Sequence, residues 1–408
     1  MTSAVTTSAH DAAERRIAAR ALLQTPVLTA EQQPETMRLV RRHAPALRAM
    51  FATQLGYPLV VESTFARLLK TPPEPGFPAR PARRADRQPF TTRSYLHLCL
   101  VGAALLAPSS GEQVLLSSLI EQVRADAAGL GLDIPDTLVE RRSLTAALDL
   151  LVRWGVLAET DGSTAGWAER HDEALLTVHR PLLPYLLTGP LPPGSDAATL
   201  LASPDDDQPR RRLRRLLVEH PVVPRSALDP ETADVLSRER REITRQLDEH
   251  FGLVLETRAE GVLAHDPDAS LSDLTFPGTG TLRQAALLLL EHLTLEHMPD
   301  PDLRDATGAH PPVVDVPWSA VDAALAELLD RYGRGWERRL RESPATLRDE
   351  ALDLLASLSL VSRTEDGVQV HAAAARYRVE VTHHRAGPRP AAPRLPEEPG
   401  LFDLEGTP

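Results

Sequence analysis

Apolar positions recur at helical spacing in two stretches that open on the same five residues, 147–162 (ALDLLVRWGVLAETDG) and 351–367 (ALDLLASLSLVSRTEDG). In the first, Ala147, Leu148, Leu150, Leu151 and Trp154 fall on one side of a helix, as do Ala351, Leu352, Leu354, Leu355 and Leu358 in the second, so each predicts a helix with one buried stripe. Each helix runs into a short apolar segment, Val156-Leu157 or Leu360-Val361, and then a polar turn holding Asp161-Gly162 or Asp366-Gly367. These glycines are expected to supply the φ > 0 residue of a tight hairpin, with 174–178 and 368–371 as return strands. Helix followed by strand, turn and strand is the last half of a winged helix.

The order of elements upstream strengthens that expectation. Helical patterns at 93–106 and 117–128 flank a small strand at 113–115, and patterns at 281–297 and 318–332 flank an apolar strand at 313–314. The predicted fold class is therefore mainly α with small β-hairpins (α+β), built as tandem winged-helix domains. The expected divisions are an N-terminal helical cap (10–75), a basic Pro-rich linker (76–92), a first winged helix (93–188), a connector with a basic helix and a hairpin (189–275), a second winged helix (276–382) and a disordered Pro-rich tail (383–408).

A duplex is met in such domains mainly by the third helix, with the wing on backbone or minor groove. One side of that helix reads Arg142, Ala146, Asp149, Arg153 in the first copy, with Arg141 beside it, and Thr346, Glu350, Asp353, Ser357 in the second. The second face is acidic and would be repelled by phosphate; it suits a protein partner. Two further arginine groups are candidate phosphate contacts: Arg80, Arg83, Arg84, Arg87 and Arg93 of the linker, and Arg210, Arg211, Arg212, Arg214 and Arg215 of the basic helix. The plainer readings are a solvated loop, a surface helix balancing Asp205–Asp207, and an Asp149–Arg153 pair one helical turn apart.

Composition narrows the function. A net charge of −12 over 408 residues argues against coating nucleic acid nonspecifically. The single cysteine, Cys99, excludes a disulfide within the chain and is expected as a small buried residue on a helix stripe. The first residues lack a secretory apolar core and the longest apolar run, 96–107, is too short to span a bilayer, so a cytoplasmic protein with no membrane partner is expected. No Walker-type loop, HExxH, paired CxxC or G-x-S-x-G occurs, His292 and His297 do not share a helix face, and Asp300, Asp302 and Asp305 do not continue into an EF-hand. No enzyme, cofactor or metal site is expected.

The segments LLQTPVLT (22–29), LVRRHAPALRAMFATQLGYPLVVESTFARLLKTP (39–72), RAEGVL (258–263) and DLTFP (273–277) resemble a bacterial family encoded beside an SMC-like ATPase in Wadjet-type plasmid-defence operons. Within those operons the chain is similar to the MukE-like kite subunit over about residues 15–381. The resemblance implies a tandem winged-helix subunit that forms a homodimer, binds the kleisin subunit and works with the SMC-like ATPase and a separate nuclease on double-stranded DNA, without reading sequence. It would be associated with nucleoid or plasmid. The competing expectation is a sequence-specific transcriptional regulator using the first winged helix.

Overall fold

The computed structural model describes residues 2–377 apart from 73, 75, 79, 109, 188, 190–193, 195, 197–207, 259, 260 and 298–312, with side chains from residue 9 onward. The Asp205–Asp207 run, the Asp300, Asp302 and Asp305 loop, and the tail with Leu401–Leu404 lie outside the described residues.

The order helix, strand, helix, helix, hairpin occurs not only at the two expected places. A first unit comprises α1 (Thr2–Gln24), β1 (Val27–Thr29), α2 (Pro34–Arg42), α3 (Ala44–Gln54), β2 (Leu59–Val61) and β3 (Phe65–Leu68). The second comprises α4 (Thr92–Leu106), β4 (Gln113–Leu115), α5 (Leu116–Gly129), α6 (Leu138–Arg153), β5 (Leu157–Gly162), a one-turn α7 (Trp167–Arg170) and β6 (Ala174–Val178). In the third, α8 (Pro209–Glu219) and β7 (Val222–Pro224) lead through a 3-10 turn, Arg225–Ala227, to α9 (Pro230–Phe251), β8 (Val254–Thr257) and β9 (Gly261–His265). The fourth holds α10 (Thr281–Glu296), β10 (Val313–Pro317), α11 (Trp318–Tyr332), a short α12 (Arg338–Arg341), α13 (Pro344–Ser357), β11 (Val361–Arg363) and β12 (Gly367–His371). Every unit closes on a three-stranded antiparallel sheet with its last strand in the middle: β1-β3-β2, β4-β6-β5, β7-β9-β8 and β10-β12-β11. The stretches expected as cap and connector thus carry the same winged-helix order, the connector with a 3-10 turn where the middle helix stands elsewhere.

Short stretches at the strand junctions also correspond across the two halves. Leu22–Thr29 (LLQTPVLT) corresponds to Leu217–Pro224 (LVEHPVVP). Register agrees, since Val27 and Thr29 pair with Arg67 and Phe65 while Val222 and Pro224 pair with Leu263 and Gly261. In the second and fourth units Leu157 faces Val178 and Val361 faces Val370. The next residue is histidine in both, its N–H donating to Val156 O or Leu360 O at 2.9 Å. The helix-to-strand corner takes a left-handed residue at the same place, Gly155 (φ 68°) and Ser359 (φ 58°).

Strands of three residues cannot hold themselves together and are stabilised by what they pack on. The first and third units share one core, in which Leu22, Met37 and Phe51 meet Leu213, Leu247 and Phe251, with the Phe51 and Phe251 rings 6.3 Å apart. The second unit has its own core, joined by Val27 and Phe65 of the first unit. The fourth encloses a separate core around Leu289, Leu325, Leu352 and Val370.

Several local expectations differ from the structure. Gly162 has φ 72° as expected, but residues 163–173 between β5 and β6 form a longer wing containing α7 instead of a tight turn. Gly367 is not left-handed; glycine is needed there because a Cβ would stand 2.1 Å from Val316 O of the neighbouring strand. Cys99 is exposed. The buried face of α4 runs through His97, Leu100, Val101, Ala104 and Leu105, which turns Cys99 to the other side.

Candidate nucleic-acid interface

The third helix of the second unit, α6, begins at an N-cap where Thr137 Oγ1 accepts from Glu140 N at 3.3 Å. Glu140, 8% exposed, anchors that end to α4. One carboxylate oxygen accepts from Arg93 Nε at 2.5 Å and the other lies 2.8 Å from His97 Nε2. Burial works to raise the Glu140 pKa, but the bonds from His97 and Arg93 outweigh it, and the carboxyl is held below the usual range. Arg93, expected as a phosphate contact, is thus part of a helix-to-helix tie.

The middle of the expected reading face of α6, around Ala146, is covered by the chain itself, while Arg142 and Arg153 at its ends stay exposed. Phe90, 6% exposed, packs with Ala146 and Leu150, and Ala82 and Trp154 border the contact. Phe90 N donates to Ala82 O at 2.7 Å, and Ala82 N donates to the Tyr95 hydroxyl of α4 at 2.8 Å. Arg153 closes the other edge, donating from Nη2 to Arg83 O at 2.7 Å and from Nε to Asp149 at 3.0 Å. Arg142 is engaged by the wing through Glu169 at 3.1 Å, and Arg141 donates to His171 Nε2 at 2.8 Å.

The linker itself is more ordered than its prolines suggest. Arg83 and Pro89 form an antiparallel bridge, and Arg84 N donates to Gln88 O at 2.9 Å. Arg87 N returns to Arg84 O at 3.0 Å, with Arg87 left-handed at φ 68°. A tight turn therefore stands over α6 and carries three arginines. Arg83 and Arg87 are exposed and Arg84 half-buried, with Asp86 3.9 Å from Arg84. Arg80 sits apart, 3.6 Å from Asp273.

The basic helix α8 is a fastening between units. Arg210 pairs with Glu239 of α9, Arg212 bridges Glu74 and Asp229, and Arg215 donates to Leu55 O at 3.3 Å. Arg211 lies against Gly56, its Cδ 3.3 Å from where a Cβ would be. Arg214 is buried at 8% exposure with no hydrogen-bond partner for Nε among the described residues, and burial lowers its pKa. Amphipathic patterning placed Leu213, Leu216 and Leu217 correctly in the core, but the acidic partners come from distant sequence. In the fourth unit the acidic face of α13 is likewise engaged within the chain: Glu350 takes Arg339 at 2.9 Å and Asp353 takes Arg363 at 2.9 Å.

A group of possible metal ligands not singled out from the sequence is Asp11, Glu14 and His43, whose ligand atoms lie within 4.8 Å of one another. Arg42 already sits on it, 3.0 Å from Glu14 and 3.5 Å from Asp11, and His43 Nε2 is 2.7 Å from Glu14. A cation would have to displace that guanidinium. The arrangement ties α1 to α2 and α3.

With this geometry in hand, a family model described as Protein of unknown function (DUF2398) matches residues 19–380. The chain belongs to that family. The match begins near the end of α1 and runs through the rest of all four units. No curated protein and no solved structure matches the chain. Among the described residues of this DUF2398 member no helix is long and apolar enough to cross a membrane.

Proposed function

We propose that this chain is a non-catalytic, MukE-like kite subunit of an SMC-like complex that extrudes and restricts plasmid DNA. It binds the kleisin, forms a homodimer, and helps hold double-stranded DNA without reading its sequence, while the SMC-like ATPase and a separate nuclease perform hydrolysis and cleavage. The observation that carries the reading is the covered face of α6, where Phe90 lies on Ala146 and Leu150 and an arginine turn stands outermost. A winged helix that read bases through this helix would have to expel its own linker. Arginines on a surface turn can meet phosphates in any sequence, which suits a machine that moves along DNA.

Two experiments test this. Tagged protein purified from its native operon is expected to bring down the kleisin and the SMC-like chain, and recovery alone refutes the assignment. Duplex binding is expected to be weak, salt-sensitive and indifferent to sequence. The triple variant R83A/R84A/R87A should flatten the slope of log K against log salt by up to ~2.7, at ~0.9 per phosphate contact. A preference of ~10³ or more for one operator would instead establish the regulator.

A further inference from the structure

Within residues 80–90, all of them described, Phe90 is the one buried side chain. Its ring lies on Ala146 and Leu150 of α6 and meets the Tyr95 ring edge to face, with the centroids 5.4 Å apart. Two polar ties stand beside it: the Tyr95 hydroxyl accepts from Ala82 N, and Arg83 O accepts from Arg153 Nη2. Past these footings the arginine turn is closed only on itself. Arg83 pairs with Pro89, and Arg83 Nη1 donates to Arg87 O at 3.0 Å. While Phe90 is seated, the turn holds Arg83, Arg84 and Arg87 at a fixed place next to Arg153, whose side chain is 44% exposed. Asp86 accompanies Arg84 and Asp149 accompanies Arg153, so these six residues keep a positive surplus.

We propose that Phe90 is a positioning residue for DNA: seating it on α6 sets the arginine turn in its phosphate-binding arrangement, so that docking of the linker and binding of the duplex are coupled. The inference rests on the reading that this turn meets phosphates, and adds what governs its affinity. Phe90 touches no phosphate itself; its side chain is spent on Ala146, Leu150 and Tyr95. With the linker unseated, the arginines must be ordered at the moment of binding, and that ordering is subtracted from the affinity. The apparent dissociation constant rises as the docked fraction falls. Coupling of this kind is reciprocal, so a bound duplex favours the docked linker by the same factor.

Duplex titrations of the full-length wild type, F90A, F90L and R83A/R84A/R87A over a range of salt test the coupling, together with amide exchange of the wild type with and without duplex. F90A is expected to bind at least ~3-fold more weakly than wild type. Its slope of log K against log salt should be unchanged, because every arginine is still present, whereas the triple variant flattens it. F90L, which keeps an apolar side chain over Ala146 and Leu150, should recover much of the loss. In the wild type, saturating duplex should slow the linker amides of Ala82, Arg84 and Phe90 by at least ~3-fold. Wild-type affinity in F90A beside a weakened triple variant overturns the proposal and leaves the DNA-holding role standing; equal binding by all four chains overturns both. Linker exchange in the wild type that ignores the duplex also overturns the coupling, whatever the variants do.

Discussion

Replacing Phe90 by alanine separates the linker turn from the unit it covers. Phe90 is 6% exposed, and its neighbours Ala146 and Leu150 are buried at 6% and 4%. Burying a phenylalanine contributes ~1.5–3 kcal/mol over leaving it exposed. A core phenylalanine costs ~3–5 kcal/mol to truncate because a cavity remains. Here the smaller figure applies, since the linker can lift away and let water in. A loss of ~1.5–3 kcal/mol raises the opened fraction of the linker roughly 12- to 140-fold, at tenfold per ~1.4 kcal/mol. The assay is amide exchange resolved at the linker N–H groups of Ala82, Arg84 and Phe90, each bonded in the closed turn. They should accelerate by that factor while the α4 and α6 amides stay within about twofold of wild type. Equal acceleration of linker and helices would refute the reasoning by making Phe90 part of the unit's own core. No acceleration would mean that the backbone bonds hold the turn unaided.

Glu140→Gln should destabilise the second unit by ~2–3 kcal/mol at pH 7, because it weakens a charge-assisted tie to a buried histidine and a half-exposed arginine. Since the Glu140 pKa is lowered on folding, its contribution is complete above the unfolded value of ~4.3 and is lost as pH falls through the folded one. The gap between wild type and variant in urea unfolding should therefore hold down to about pH 4.3 and narrow as pH falls further, through the lowered folded value; a gap independent of pH would contradict the account. Arg214→Leu removes a buried guanidinium whose Nε has no hydrogen-bond partner among the described residues, so stability should rise or stay within ~1 kcal/mol in thermal unfolding, and a loss above ~3 kcal/mol would show that the charge is compensated.

The duplicated ALDLL stretches led to the second and fourth units because their helices are long enough for periodicity to show and their strand order follows from a simple hairpin. The first and third units were harder to see. Their opening strands, Val27–Thr29 and Val222–Pro224, are three residues each, too short for alternation to register, and a 3-10 turn replaces one helix. A usable signal lay in the shared Leu22–Val27 and Leu217–Val222 pattern, in which Pro and Val follow a helix end at the same spacing. Arginine counts placed basic residues correctly and their partners not at all. Glu74, Asp229 and Glu239, which engage α8, are brought to it by folding and are invisible to a local charge count. The covering of α6 was missed for a related reason, since a single aromatic, Phe90, at the end of a Pro-rich run carries no periodicity.

The core common to the first and third units has a consequence for synthesis. Leu22, Met37 and Phe51 leave the ribosome well before Leu213, Leu247 and Phe251, with which they are buried. About 145 residues separate Leu68 from Leu213, and at ~5–20 residues per second that is a wait of roughly 7 to 30 s. Throughout it the nascent first unit shows its apolar side to the solvent. A chaperone that shields that side, or a slow codon run that lengthens the wait, would govern the yield of native protein without touching any residue of the finished molecule.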